Sequence, residues 1–219
     1  MAVLLSDNFN RADTVAGAVG NPQIGPAPTY PTAGLRINSN QLTGTGGGSI
    51  AWNVGTPNVE ISAATTGLSV STNFAQVRIG EGGPEGTLTF SVNSHSHELY
   101  IGLLLIWTRS LAVQAYSPVI KMSYRDRVAR CYSDDVLVYR AVLDYPITGG
   151  VCAVRTGTSN VRLDNVLAVD SPVVDEFPLL AGSHPTTGFL SAASIPPLAE
   201  PAFAYLGRDT KTLDQAPGA

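Results

Sequence analysis

Hydrophobic and polar residues alternate with a period of two along most of the first 170 residues. Ile50, Trp52 and Val54 alternate with Ala51, Asn53 and Gly55. Val59 and Ile61 continue the pattern, as do Val77 and Ile79, and Leu88, Phe90 and Val92 alternate with Thr87, Thr89 and Ser91. Successive side chains of a strand point to opposite faces, so each segment predicts a half-buried strand with one wet face. No window of useful length keeps apolar residues at i, i+3, i+4 and i+7, which leaves little room for helix. Gly- and Pro-rich stretches at 44–49, 55–58 and 80–86 separate the strands.

Past residue 111 the alternation resumes, with Ile120, Met122 and Tyr124 set against Lys121, Ser123 and Arg125. The run 128–132, the turn Ser133-Asp134-Asp135 and the run 136–143 predict a β-hairpin with an acidic tip. Pro146, Gly149 and Gly150 lead into a strand at 151–155, and the polar turn 156–160 leads into a last strand at 161–169. Many short strands without intervening helices predict an all-β sandwich.

Two segments depart from this pattern. In 99–108, Leu99, Ile101, Leu103, Leu105 and Trp107 would occupy one face and Tyr100, Leu104 and Ile106 the other. A continuous strand that is apolar on both faces must be covered on both, by the core on one side and by the C-terminal segment or another subunit on the other. Beyond residue 170, seven of the fifteen prolines fall in 171–219, among them Pro196-Pro197, and sustained alternation stops. Apolar residues persist there: Phe177, Leu179, Leu180, Phe189, Leu190, Phe203, Tyr205 and Leu206. The expected organisation is a sandwich over 1–170 and an extended, Pro-rich C-terminal arm over 171–219 that orders against a neighbour in an assembly.

Composition narrows the function. The chain has 219 residues, is 44% hydrophobic and 14% charged, and carries a formal charge of −4, which argues against a nucleic-acid binder with a basic face. The N-terminal residues lack a basic signal-peptide region, and the apolar run from Leu99 to Trp107 is about half of what a membrane span needs. Synthesis and folding in a cytoplasm, with no membrane partner, is therefore expected. Two cysteines, Cys131 and Cys152, lie in strand-like segments without metal-site spacing and are expected to be small buried side chains.

Most candidate chemistry fails on spacing. Paired-acid glycosidases need two carboxylates flanking one bond, whereas Glu60, Glu81, Glu85, Glu98, Glu176 and Glu200 are isolated; no enzyme activity is expected. His95 and His97 are two apart, but the preferred reading of 95–98 is a polar loop. His184, before Pro185, is a lone loop residue. Gly44 to Ser49 lacks the Gly-Lys-Ser/Thr ending and the helix of a phosphate loop. Calcium is the one metal the pattern admits, through Asp7, Asn8, Asp164 and Asn165 if the terminal strands pair; turn capping by the same residues is preferred, and no cofactor is expected. Glycan binding would use exposed aromatics with polar neighbours, for which Tyr116, Tyr124, Tyr132 and Tyr139 with Arg125 and Arg140 are the candidates.

Several short motifs, in order, resemble a known family. The opening Asp7-Asn8-Phe9-Asn10-Arg11-Ala12-Asp13 and the late Arg162-Leu163-Asp164-Asn165-Val166-Leu167-Ala168-Val169 bracket the domain. Between them lie 35–42, similar to an x-I-x-x-N-x-L strand, 132–138, similar to Y-x-D-G-x-x-V with Asp135 in the place of glycine, and 149–157, similar to GG-V-G-x-R-x-G. Together they resemble the concanavalin A-like (laminin G-like) jelly-roll modules of bacteriophage tail proteins, particularly of phages that infect actinobacteria. The resemblance implies a two-sheet antiparallel jelly-roll whose first and last strands lie side by side. It also implies a structural virion protein, a minor tail or tail-associated component that is assembled in the host cytoplasm. Its expected partners are other tail proteins and copies of itself. The alternative it implies is a carbohydrate-binding module that recognises host cell-envelope glycan during adsorption.

Overall fold

Among the described residues, fourteen strands form in the order β1 (Val3–Asp7), β2 (Leu35–Asn38), β3 (Gln41–Gly44), β4 (Gly48–Asn53), β5 (Val59–Thr66), β6 (Ala75–Ile79), β7 (Leu88–Val92), β8 (Ser96–Ile101), β9 (Leu104–Ser110), β10 (Val119–Arg125), β11 (Val128–Ser133), β12 (Val136–Val142), β13 (Val151–Thr156) and β14 (Arg162–Asp170). The computed structural model describes residues 1–171 except 30–33, 45, 82, 84, 85, 113 and 114. The predicted arm residues Phe177, Leu179, Leu180, Phe189, Leu190, Phe203 and Tyr205 lie outside the described residues. No helix among the described residues is long and apolar enough to cross a membrane.

The strands make two antiparallel sheets. The first runs β12-β11-β10-β5-β14-β3-β2, with β1 also paired to β14; the second runs β4-β13-β6-β7-β8-β9. The alternation read from the sequence sets which side chains turn inward. Ile61, Ala63, Ile120, Met122 and Tyr124 of the first sheet and Val77, Ile79, Phe90, Leu99 and Val154 of the second belong to one buried core with Trp52. Each such aliphatic or aromatic side chain contributes about 1.5–3 kcal/mol on burial. The fold is thus the expected all-β, two-sheet sandwich.

The terminal strands pair as the resemblance implies, with Val3 opposite Val169 and Asp7 opposite Val166. On its outer side β14 pairs first with β3, through Arg162 and Leu163, and then with β1. The Asp164-Asn165 dipeptide falls at this change of neighbour. Asn165 has φ 48°, and the register of β14 against β5 shifts between Asp164 and Leu167. That is a bulge, built from a residue type that tolerates the left-handed region.

The opening motif also has a structural use. Phe9 is fully buried at φ 51°. Asp7 Oδ1 accepts the Phe9 N–H at 2.9 Å, and the Arg11 guanidinium grips both Asp7 oxygens at 2.8 and 2.7 Å. The Arg11 Nε donates to the Val19 carbonyl at 3.0 Å. Downstream, the Asp13 carboxylate accepts the Ser39 N–H at 2.7 Å and the Thr14 hydroxyl accepts the Ile37 N–H at 2.9 Å, latching the β2–β3 hairpin.

Three sequence expectations are corrected. Segment 99–108 is not one strand: Gly102-Leu103 forms a two-residue turn, Gly102 at φ 58°, so Leu99 pairs back to Trp107 and Ile101 to Leu104. Segment 35–42 is likewise a hairpin, turning at Ser39 (φ 53°) and Asn40 (φ 60°). His97 is not in a loop but in β8, 3% exposed and facing the interior. By contrast the acidic-tipped hairpin forms as predicted, with Asp134 and Asp135 at φ 51° and 62° between β11 and β12.

The two lateral sides of the sandwich differ. On the β2/β4 side Gly48 packs so closely on Leu35 that a Cβ there would lie 2.7 Å from the Leu35 side chain, and Thr29 exchanges two backbone hydrogen bonds with Ala51 of β4, at 2.8 and 3.1 Å. The other side ends in β9 and β12, bridged by the Trp107 and Tyr139 rings, stacked at 4.4 Å and 11°.

Candidate functional site

The outward face of the second sheet follows directly from its register. One row crosses the sheet as Ala51, Ala153, Arg78, Thr89, Tyr100 and Leu105. The next crosses it as Ser49, Arg155, Gln76, Ser91, Glu98 and Thr108. The opposite phase of the same strands supplies core, including Val77, Phe90, Leu99 and Val154. Polar residues thus gather on one face because each strand alternates and the register aligns them.

This face has relief. Thr89 and Ser91 of β7 are short, and they lie between the long side chains of β6 (Gln76, Arg78) and β8 (Glu98, Tyr100). Those two walls stand about 10 Å apart, two strand spacings. The long side chains are held in place. Arg78 Nε donates to the Thr89 hydroxyl at 3.4 Å and its Nη1 to Glu81 at 2.8 Å, while the Gln76 amide donates to the Ser91 hydroxyl at 3.3 Å. Opposite them, the Ser96 hydroxyl donates to Glu98 Oε1 at 2.7 Å and the Tyr100 hydroxyl to Glu98 Oε2 at 2.5 Å. Burial, the hydrogen bond to Glu98 and the Glu98 charge together push the Tyr100 phenol up to about 12, so it remains protonated and donating. Beyond the β6 wall, on β13, the Arg155 guanidinium lies 5.5 Å from the Phe74 ring centroid. Thr89 and Ser91 are 5% and 3% exposed beneath these side chains, so the result is a shallow surface of oriented donors and acceptors, suited to a ligand with many hydroxyl groups and a flat apolar face.

The residues selected from the sequence are scattered. Tyr116 bridges the two sheets, its hydroxyl 2.7 Å from His97 Nε2 and 2.8 Å from the Ser133 hydroxyl. Tyr124 is core, 2% exposed, and its hydroxyl accepts the Ile147 N–H at 2.8 Å; an inward position on β10 leaves no ring face to offer a ligand. Arg125 donates to the Ser171 carbonyl and approaches Asp126 at 3.6 Å. Tyr139 spends one ring face on Trp107. Tyr132, under the Lys121 ammonium at 5.0 Å, and Arg140, opposite Arg130, lie on the outer face of the other sheet. These side chains do not form one site.

The terminal residues considered for calcium have local tasks. Both Asp7 oxygens are taken by Arg11, and Asp164 Oδ1 accepts the Asn165 N–H at 2.7 Å at the bulge. Burial first, and the Asp7 charge with it, raises Asp164 above the usual carboxylate range. No group of three or more His, Cys, Asp or Glu among the described residues is placed to hold a metal. Cys131 and Cys152 are free and buried in different sheets, and burial pushes both thiols up, Cys152 to about 12.

Sequence reasoning missed Gln76, Arg78, Glu98, Tyr100 and Arg155. The signal was present as the polar phase of each alternating strand. It was lost at 95–98, where a loop assignment took Glu98 off the sheet, and at 99–108, where a single continuous strand grouped Tyr100 with Leu104 and Ile106.

Comparison with known proteins supports the architecture. No protein-family model and no curated protein matches the chain. Among solved structures it resembles a carbohydrate-binding module, CBM66, from Bacillus subtilis, at 12% identity and TM-score 0.53 over 64% of this chain and 94% of that one. It also resembles the Bacillus licheniformis beta-glucanase, at 9% identity and TM-score 0.53 over 78% and 99% of the two chains. A Trypanosoma rangeli sialidase variant matches at 12% identity and TM-score 0.59, over 79% of this chain but only 31% of the sialidase. At these identities the likeness establishes the fold alone: a two-sheet antiparallel jelly-roll β-sandwich.

Proposed function

We propose that the sandwich is a carbohydrate-binding module whose site is the trough between β6 and β8. The observation that carries this reading is the two-row register, which sets Gln76 and Arg78 against Glu98 and Tyr100 across a floor of Thr89 and Ser91. Sugar hydroxyls would bond the Arg78, Gln76 and Glu98 groups, and the apolar face of a pyranose would lie on the half-exposed Tyr100 ring. The existence of a carbohydrate-binding module with this fold supports the reading. The two rows contain one carboxylate, Glu98, whereas paired-acid glycoside hydrolysis needs two; the trough is proposed to hold glycan and not to cleave it.

The test is affinity electrophoresis and calorimetry of the purified chain against a panel of neutral and anionic polysaccharides, bacterial envelope polysaccharides included. Tyr100→Ala and Arg78→Ala are each expected to weaken binding about tenfold or more, while Tyr132→Ala, on the outer face of the other sheet, leaves it unchanged. Retention by no polysaccharide, or equal retention of all three variants, refutes the reading.

A second reading, a structural component of a phage tail, draws on the exposed aliphatic residues Leu103, Leu104, Leu105 and Ile106, which would suit contact with another subunit. The two roles are compatible, since a tail module that binds envelope glycan serves adsorption. Incorporation into particles, followed by immunodetection in purified virions, tests it directly.

A further inference from the structure

We propose a second sugar site, separate from the trough: a cleft lined by Tyr124 and three connections of the sandwich, which takes a single acetamido sugar at the end of a glycan chain. The cleft has a volume of about 430 Å³, within the range of small-ligand pockets. Pro57 and Asn58 precede β5, Asp126 and Arg127 turn between β10 and β11, and Pro146 and Ile147 lie between β12 and β13. Tyr124, near the end of β10, completes the lining. None of these residues belongs to either polar row of the second sheet.

The lining is graded by depth. Tyr124 and Ile147 are buried, Pro57 and Asn58 are half-buried, and Asp126, Arg127 and Pro146 are exposed at the rim. Tyr124 and Ile147 are core residues, so they close the floor, and a closed floor favours an end residue over the middle of a polymer. The polar groups have capacity to spare. The Tyr124 hydroxyl accepts the Ile147 N–H, and its own proton has no acceptor among the described residues. Arg127 is held by its Nε, which donates to the Leu143 carbonyl at 2.8 Å, and its terminal nitrogens have no partner among the described residues. The Asp126 carboxylate contacts only the Arg125 guanidinium there, at 3.6 Å. Asp126 and Arg127 stand at φ 50° and 70° in a turn that Asn-Gly would fill with less strain, so the charged rim is kept despite its conformation.

An acetamido sugar matches both halves of this lining. Its methyl group packs against Pro57, Pro146 and Ile147, and its amide carbonyl accepts the Tyr124 proton. The ring hydroxyls bond the Asp126 carboxylate, the Arg127 guanidinium and the Asn58 amide. A sugar that lacks the acetyl group leaves the apolar wall and the Tyr124 donor unused.

Methyl NMR of the full chain, titrated with N-acetylglucosamine, N-acetylgalactosamine, glucosamine and glucose, tests the site. At least one acetamido sugar is expected to shift the Ile147 methyl signals and to saturate with a Kd of about 1 mM or below, with glucose and glucosamine about tenfold weaker or more. Asp126→Asn, which keeps a residue suited to the left-handed turn, and Asn58→Ala should each weaken binding about tenfold. Tyr100→Ala, in the trough, should leave it unchanged. Unchanged melting confirms that the variants fold. No saturation by either acetamido sugar at about 20 mM, or equal binding of glucose, overturns the proposal. Binding lost in Tyr100→Ala and kept in Asp126→Asn overturns it as well and returns the sugar to the trough. The trough reading is judged separately, by polysaccharide retention through Arg78 and Tyr100.

Discussion

His97 sits where the two sheets meet, against Phe90 in an edge-on contact at 5.8 Å and hydrogen-bonded to Tyr116. Its Nδ1 is buried without a hydrogen-bond partner. Burial, with the nearby Arg109 charge and against the opposing pull of Asp134, lowers its pKa from 6.5 to about 4. The sign of the consequence follows by linkage. The unfolded chain takes up a proton near pH 6.5 and the folded chain only near pH 4, so stability is full above 6.5 and declines as pH falls toward 4. Asp164, raised in the folded state, works in the opposite direction, so wild type alone would mix the two effects. Replacing His97→Gln keeps a hydrogen-bonding group toward Tyr116 and removes the titration. Melting temperatures measured from pH 7.5 to pH 4 should show wild type losing ground to the variant through that window. Parallel curves would show that His97 does not titrate as described.

At the scale of elements, β14 shows how a residue that looks unfavourable in a strand can be required by it. Asn165 is exposed in the middle of the last strand, at φ 48°, where β14 exchanges β3 for β1. Strand propensity would favour valine there, yet a β-branched residue is strained in the left-handed region. Asn165→Val is expected to cost about 1–2 kcal/mol in urea unfolding, and Asn165→Gly to stay within about 0.5 kcal/mol. Equal stability of the three proteins would remove the bulge as the reason for Asn165. The same physics limits what was legible in the sequence. Strands bounded by Gly and Pro, such as β4, β5, β7 and β13, could be read from alternation alone. The hairpins turning at Ser39-Asn40 and Gly102-Leu103 could not, because neither pair is a strong turn signal and apolar residues run straight through the second. Losing that turn put Leu105 on the face of Leu99, whereas Leu105 pairs with Tyr100 on the outer face. A site made of side chains aligned across β6, β7 and β8 depends on register, which a single strand's sequence does not state.

Over the whole molecule, the core and the proposed trough fall within one unit. The core around Trp52 and both polar rows lie within Met1–Pro172, and the terminal strands close the sandwich by setting Val3 opposite Val169 and Asp7 opposite Val166. A chain ending at residue 172 is therefore expected to melt in one cooperative transition, within about 2 °C of the full chain. Its affinity for any polysaccharide that the full chain binds should stay within about twofold, and Tyr100→Ala should weaken binding equally in the short and the long chain. Loss of folding on truncation would mean that residues beyond 172 complete the core, and loss of binding alone would mean that they complete the site.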